Sequence, residues 1–77
     1  MQIFVKTLIQ NRTITLDLEH DTTIEELKNI LVKSEALPYK MIGLTYGIHI
    51  LQDSRCLSDY LIEKESTVTM MLRQLHS

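Results

Sequence analysis

The apolar residues of this chain change period twice, and that switch limits what it can fold into more than any other feature. In "MQIFVKTL", Ile3 and Val5 alternate with Gln2, Phe4 and Lys6, the spacing of a strand with one face buried. "IQNR" supplies a short polar turn, without the Asn-Gly or Asp-Gly pair of the tightest hairpins. "TITLDLE" alternates again, with Ile14, Leu16 and Leu18 on one face, so the two runs predict a β-hairpin.

The period then lengthens. In "HDTTIEELKNILVKSE", Ile24, Leu27, Ile30 and Leu31 share a helical face. Thr23 followed by Glu26 reads as a capping box, in which the hydroxyl accepts from a first-turn N–H and the carboxylate reaches back to the cap. Pro38 stops the helix, because it lacks an N–H and disfavours helix in the residue before it. Period two returns in "KMIGLTYGIHIL", with Ile42, Leu44 and Tyr46 inward, Gly43 and Thr45 outward, and Gly47 at a turn before a short strand. "SDYLI" reads as a brief helical turn or loop. "STVTMMLRQ" closes the pattern with Val68, Met70 and Leu72 inward. One helix among five strand regions predicts an α+β domain, its helix packed across a mixed sheet. The predicted domain covers residues 1–74, and 75–77 read as a flexible tail.

Size and charge narrow the function classes. A chain of 77 residues holds one domain. At this size only about 60% of the unfolded surface is buried, so stability is expected to be marginal. The single cysteine, Cys56, cannot form an internal disulfide, and no Cys/His cluster has zinc spacing. No metal and no cofactor are expected. A net charge of −2 without a basic cluster argues against nucleic acid. The apolar runs are too short to span a membrane, and "MQIFVKTL" lacks the parts of a secretion signal. A monomer in the cytoplasm or nucleus is the expectation.

"MQIFVKTL" is identical to the N-terminus of the ubiquitin family, which the chain resembles over nearly its whole length. "TITL", "TIE", "LSDY" and "KEST" also match, with one extra residue in the first turn. The resemblance implies the β-grasp fold. It also implies three functional features, and this sequence departs from each.

Family members that are joined to lysines end in two glycines, which pass through enzyme channels that admit no side chain. Here His76 and Ser77 hold those positions, so the resemblance implies a chain that is not conjugated. Arg73 keeps one basic contact for the activating enzyme, while Gly43 replaces the arginine that pairs with it. The family's apolar recognition patch falls on Leu8, Thr45, Thr69 and Met71. Threonine for isoleucine at position 45 removes burial worth about 1–2 kcal/mol in a complex. Ile9, Ile48 and Ile50 bring new apolar side chains to the same edge, and His49 stands at the family's main acceptor lysine. Leu8, Ile9, Thr45, Ile48, His49, Thr69, Met71 and Arg73 are therefore the candidate protein-binding residues. The usual small ubiquitin-binding helices should bind this face weakly or not at all. Gln2, Phe4, Thr15 and Glu65 match the family and form a second candidate surface around an exposed aromatic. Lys6, Lys28 and Lys64 match acceptor lysines. Ala36 replaces the family's left-handed glycine after the helix, and strain of about 1 kcal/mol follows if the backbone is kept.

The remaining reactive residues have plainer readings. Cys56 lacks an orienting third group, and only His49 could approach it, so a half-buried structural thiol is expected rather than a nucleophile. His20, His49 and His76 read as solvent-facing. Ser58 and Asp59 belong to "LSDY", where the resemblance implies that the Tyr60 hydroxyl bonds to backbone in the preceding loop. Met1 and Met70 should pack inside, whereas Met71 and Met41 are candidates for contact.

The expected function is therefore a non-enzymatic, non-conjugating binding module for ubiquitin-pathway enzymes, proteasome receptors or adaptors, read as the N-terminal domain of a longer protein. The alternative is a divergent covalent modifier with an altered or unprocessed tail.

Overall fold

The computed structural model describes residues 1–73. The tail expected at 75–77 lies outside them. Five strands build one sheet: β1 (Gln2–Thr7), β2 (Arg12–Asp17), β3 (Ile42–Tyr46), β4 (His49–Ile50) and β5 (Thr67–Leu72). Their order is β2-β1-β5-β3-β4. The β1–β5 pair is parallel and the others are antiparallel, so the sheet is mixed as predicted. One α-helix, α1 (Ile24–Glu35), packs across it, and two short 3₁₀ helices span Tyr39–Met41 and Leu57–Tyr60.

The inward residues are those the alternation selected. Ile3 and Val5, Ile42 and Leu44, and Val68 and Met70 meet Ile24, Leu27 and Leu31 of the helix in one core, completed by Leu57 and Ile62. Leu72 differs from its prediction: it is 41% exposed. It is the last residue of β5; the β1–β5 pairing ends at Thr7 and Met70, so Leu72 has a strand partner on one side only, the buried Ile42. Phe4, expected to be exposed, is half-buried beside Thr15 and Thr67 on the neighbouring strands. The first turn also starts one residue early, at Leu8, and Arg12 opens β2.

The helix start is held from two sides. The Thr23 hydroxyl accepts from the Glu26 N–H at 3.1 Å, the predicted half of the cap. The Glu26 carboxylate does not reach the Thr23 backbone; it accepts from the Thr23 hydroxyl at 3.2 Å, whose proton is still free to give. The loop before Leu57 supplies the rest. Ile24 N–H donates to Arg55 O and Glu25 N–H to Asp53 O, removing two donors that a helix start leaves unpaired.

The chain has two glycines, yet five of the described residues have positive φ. Gly47 is one; the others are Asn11, Ala36, Leu61 and Glu65. Asparagine tolerates this region, whereas alanine and leucine are strained in it. Ala36 sits at φ 54° and ψ 40° at the end of α1, so the helix end is kept in the left-handed form rather than rebuilt. Ala36→Gly should raise stability by roughly 0.5–1 kcal/mol, the relief of strain less the added freedom of the unfolded chain. Urea unfolding would read this as a higher midpoint at unchanged slope.

Candidate functional site

The outer face of the sheet carries the candidate residues because β-strands turn alternate side chains away from the helix. The register sets them in rows. Lys6 is opposite Thr69, Thr69 opposite Thr45, and Thr45 opposite Ile50. Met71 is opposite Gly43 in the next row. Leu8 joins that end of the sheet, where its N–H donates to Met70 O at 3.1 Å. Leu8 is 54% and Ile9 43% exposed in the turn after β1; Ile48 is 95% and Ile50 76% exposed around the β3–β4 turn. Thr45, Thr69 and Met71 are half-buried between them.

His49 is not part of this face. The Thr45–Ile50 pair points outward, so the neighbouring Tyr46–His49 pair points the other way. Its ring lies 5.7 Å from that of Tyr60. Tyr60 in turn accepts from the Gln52 N–H at 2.9 Å, the backbone contact that the resemblance implied. Cys56 is half-buried at the start of the second 3₁₀ helix, where its N–H donates to Asp59. Among the described residues no three His, Cys, Asp or Glu side chains gather as a metal would require, and no helix is long and apolar enough to cross a membrane.

A groove of about 590 Å³ opens at one end of the outer face. Gly43, Thr45, Ile50, Met71 and Arg73 line it, with Gln52, Asp53 and Lys28 at its side. Ile50 and Gly43 were not among the candidate residues. The signal for Ile50 was its partner Thr45 across the Gly47–Ile48 turn. Gly43 is on the outer face but buried, because the stems of Met71 and Arg73 lie over it: a methyl group added there would sit 2.9 Å from Arg73 Cγ and 3.3 Å from Met71 Cγ.

The groove's side is fixed by a polar knot. Lys28 Nζ lies 2.6 Å from Asp53 Oδ1, and the Tyr39 hydroxyl donates to Asp53 Oδ2 at 2.6 Å. The Lys28 ammonium also stands over the Tyr39 ring, 5.5 Å from its centre. The Lys28 hydrogen bond, helped by Tyr39, holds the Asp53 carboxyl below its usual range despite partial burial. Burial, then the hydrogen bond to Asp53 and its charge, push the Tyr39 hydroxyl up to about 12. Of the three lysines that match acceptors, Lys6 and Lys64 are exposed, while Lys28 is 4% exposed and presents no free amine.

The second surface does come together. Phe4 is opposite Thr15, and the Glu65 N–H donates to Gln2 O at 2.6 Å. A family model described as "Ubiquitin family" matches residues 3–75.

Proposed function

Since the chain belongs to the ubiquitin family, we propose that it is a non-conjugating protein-binding module, acting through the outer face of its sheet. The observation that carries this reading is the exposure of apolar side chains from separate segments along one sheet face: Leu8 and Ile9 in the turn after β1, Ile48 and Ile50 around the β3–β4 turn, with Ile50 and Met71 lining one groove. Grouped apolar exposure of this kind marks a partner surface more often than ordinary coat. The partners proposed are ubiquitin-pathway enzymes, proteasome receptors or adaptors, bound by rigid presentation of the face without chemistry. His76 and Ser77 at the positions of the conjugating glycines support the non-conjugating part.

Two measurements test this reading. Incubation with a ubiquitin-activating enzyme and ATP should give no thioester-linked adduct; its appearance would move the chain to the covalent modifiers. Titration with receptor fragments, followed by NMR, should shift Thr45, Thr69 and Met71, whereas shifts confined to α1 would refute the face. Ile50→Asp should leave stability within about 0.5 kcal/mol, as for other exposed positions. It should weaken such binding by about tenfold or more, as loss of a central contact does.

A further inference from the structure

We infer that the free edge of β2 pairs with the same edge of a second copy of this chain, antiparallel and about a two-fold axis at Thr15, joining two sheets into one. This interface is separate from the outer face and does not depend on what that face binds.

The edge is open. β2 is an outermost strand in the order β2-β1-β5-β3-β4. Just beyond it, Met1 and Leu18 exchange both backbone hydrogen bonds: the Leu18 N–H donates at 2.8 Å and the Met1 ammonium at 2.7 Å. Antiparallel ladders alternate such mutual pairs with unbonded ones. Counting back along the register in twos, Leu16, Ile14 and Arg12 turn their backbone groups to β1, while Thr13, Thr15 and Asp17 turn theirs to the free side. Those three residues are exposed. Proteins commonly blunt such an edge with proline, lysine or a bulge. "RTITLD" has no proline or lysine, and it pairs with β1 in unbroken register. Its one cation, Arg12, stands at the strand end and is held by Glu35 on the helix side.

The occupant follows from symmetry. The free backbone groups are evenly placed about residue 15. Pairing Thr15 with Thr15 of a second copy sets Thr13 against its Asp17 and Asp17 against its Thr13, and bonds all of them at once through about six hydrogen bonds. No other two-fold register does so. The side chains agree with it. Toward the helix, the half-buried Ile14 falls opposite Leu16 of the second copy, and Leu16 opposite its Ile14, closing apolar surface that the edge leaves partly open. On the outer face Lys6, Thr13 and Asp17 of the second copy share one row, so a cation and a carboxylate lie along it and no like charges stand opposite. A foreign strand would have to bring this pattern; a second copy already carries it.

The axis is normal to the sheet. Both helices therefore lie on one side of the joined sheet and both outer faces on the other, where a partner with two docking segments can engage them together. A strand of six residues is about 20 Å long, too short to bury the roughly 1,200 Å² of a stable interface. The pairing is accordingly weak, with a Kd of about 1 mM, and the monomer expected from the sequence prevails at micromolar concentration.

The test compares the full chain at about 20 μM and about 2 mM, by sedimentation and NMR relaxation. The rotational correlation time should rise by about half at the higher concentration, with shifts concentrated in residues 12 to 18. Thr15→Lys and Thr15→Glu each place two like charges on the axis, at an exposed position that tolerates them, and each should weaken association by about fivefold. An equal mixture of the two should associate at least as tightly as the parent chain. Thr15→Pro removes an N–H that faces solvent in the monomer, a place where an edge strand accepts proline, and should abolish association. A monomer mass at about 2 mM overturns the inference. So do concentration-dependent shifts at Leu8, Ile50 and Met71 in place of β2, or a lysine–glutamate mixture that associates no better than either variant alone.

Discussion

Lys28→Ala should cost about 3 kcal/mol in urea unfolding at neutral pH, a large share of the stability of a domain this small. Two losses add. The stem is packed inside, since the side chain is only 6% exposed. Each buried methylene is worth about 0.8 kcal/mol. The ammonium also makes a 2.6 Å hydrogen bond to Asp53, of a kind worth about 1.5–3 kcal/mol. The lower end applies, because Asp53 is 42% exposed and can regain water. Lys28→Met keeps most of the packing and should recover about half of the loss. If both variants lose equally, the charge alone is responsible; if methionine costs nothing, packing alone is.

The same knot sets pH dependence at both ends of the scale. The Asp53 carboxyl is held below its ordinary value of 3.8 in the folded chain. Its contribution is therefore complete above that value and is lost as pH falls through the folded one. Tyr39 is raised from 10.0 to about 12, so its contribution is complete below pH 10 and is lost as pH rises toward 12. Lys28→Met should flatten the acid limb of the stability curve, and Tyr39→Phe the alkaline limb.

The second large effect is expected at Arg12. Its Nη2 lies 2.6 and 2.7 Å from the two oxygens of Glu35, whose side chain is 2% exposed. Glu35 ends α1, where the helix dipole already disfavours a negative charge. Arg12→Ala leaves that carboxylate buried without a cation. Loss of one partner from a fully buried pair costs about 3–5 kcal/mol. The Arg12 side chain is 55% exposed, so water can follow it out, and about 2–3 kcal/mol is expected. Adding Glu35→Met to Arg12→Ala should restore most of the loss by removing the charge that needs the partner. A double variant no more stable than Arg12→Ala would show that Arg12 acts through its packing.

Residues 3 to 5, 14 to 18 and 24 to 31 could be read as strand, strand and helix because strand and helix periods are local, and each turn or cap lay within a few residues. Leu72 was misplaced for the same reason: alternation gives a face but not how far along the strand that face stays covered. His49 was placed on the candidate face by the resemblance, while pairing with Tyr46 turned it away. Ile50 entered the groove because the same two-residue turn set it opposite Thr45.

Hydrophobic period, Thr23 and Pro38 were enough to specify the α-helix, the strands, their order and which side of each faces the core, since all act between near neighbours along the chain; the 3₁₀ turn Tyr39–Met41 was read as the start of a strand. The roles of Lys28, Glu35 and Gly43 came only from folding. Lys28, which matches an acceptor lysine, became a buried tie to Asp53, 25 residues away. Glu35, the last residue of the helical stretch, became a buried carboxylate bound by Arg12, 23 residues away. Gly43, read as an outward strand position, became the covered base of a groove, because the Met71 and Arg73 stems lie across it. Long-range partners carry no periodic trace in a sequence, and the groove is made almost entirely of them.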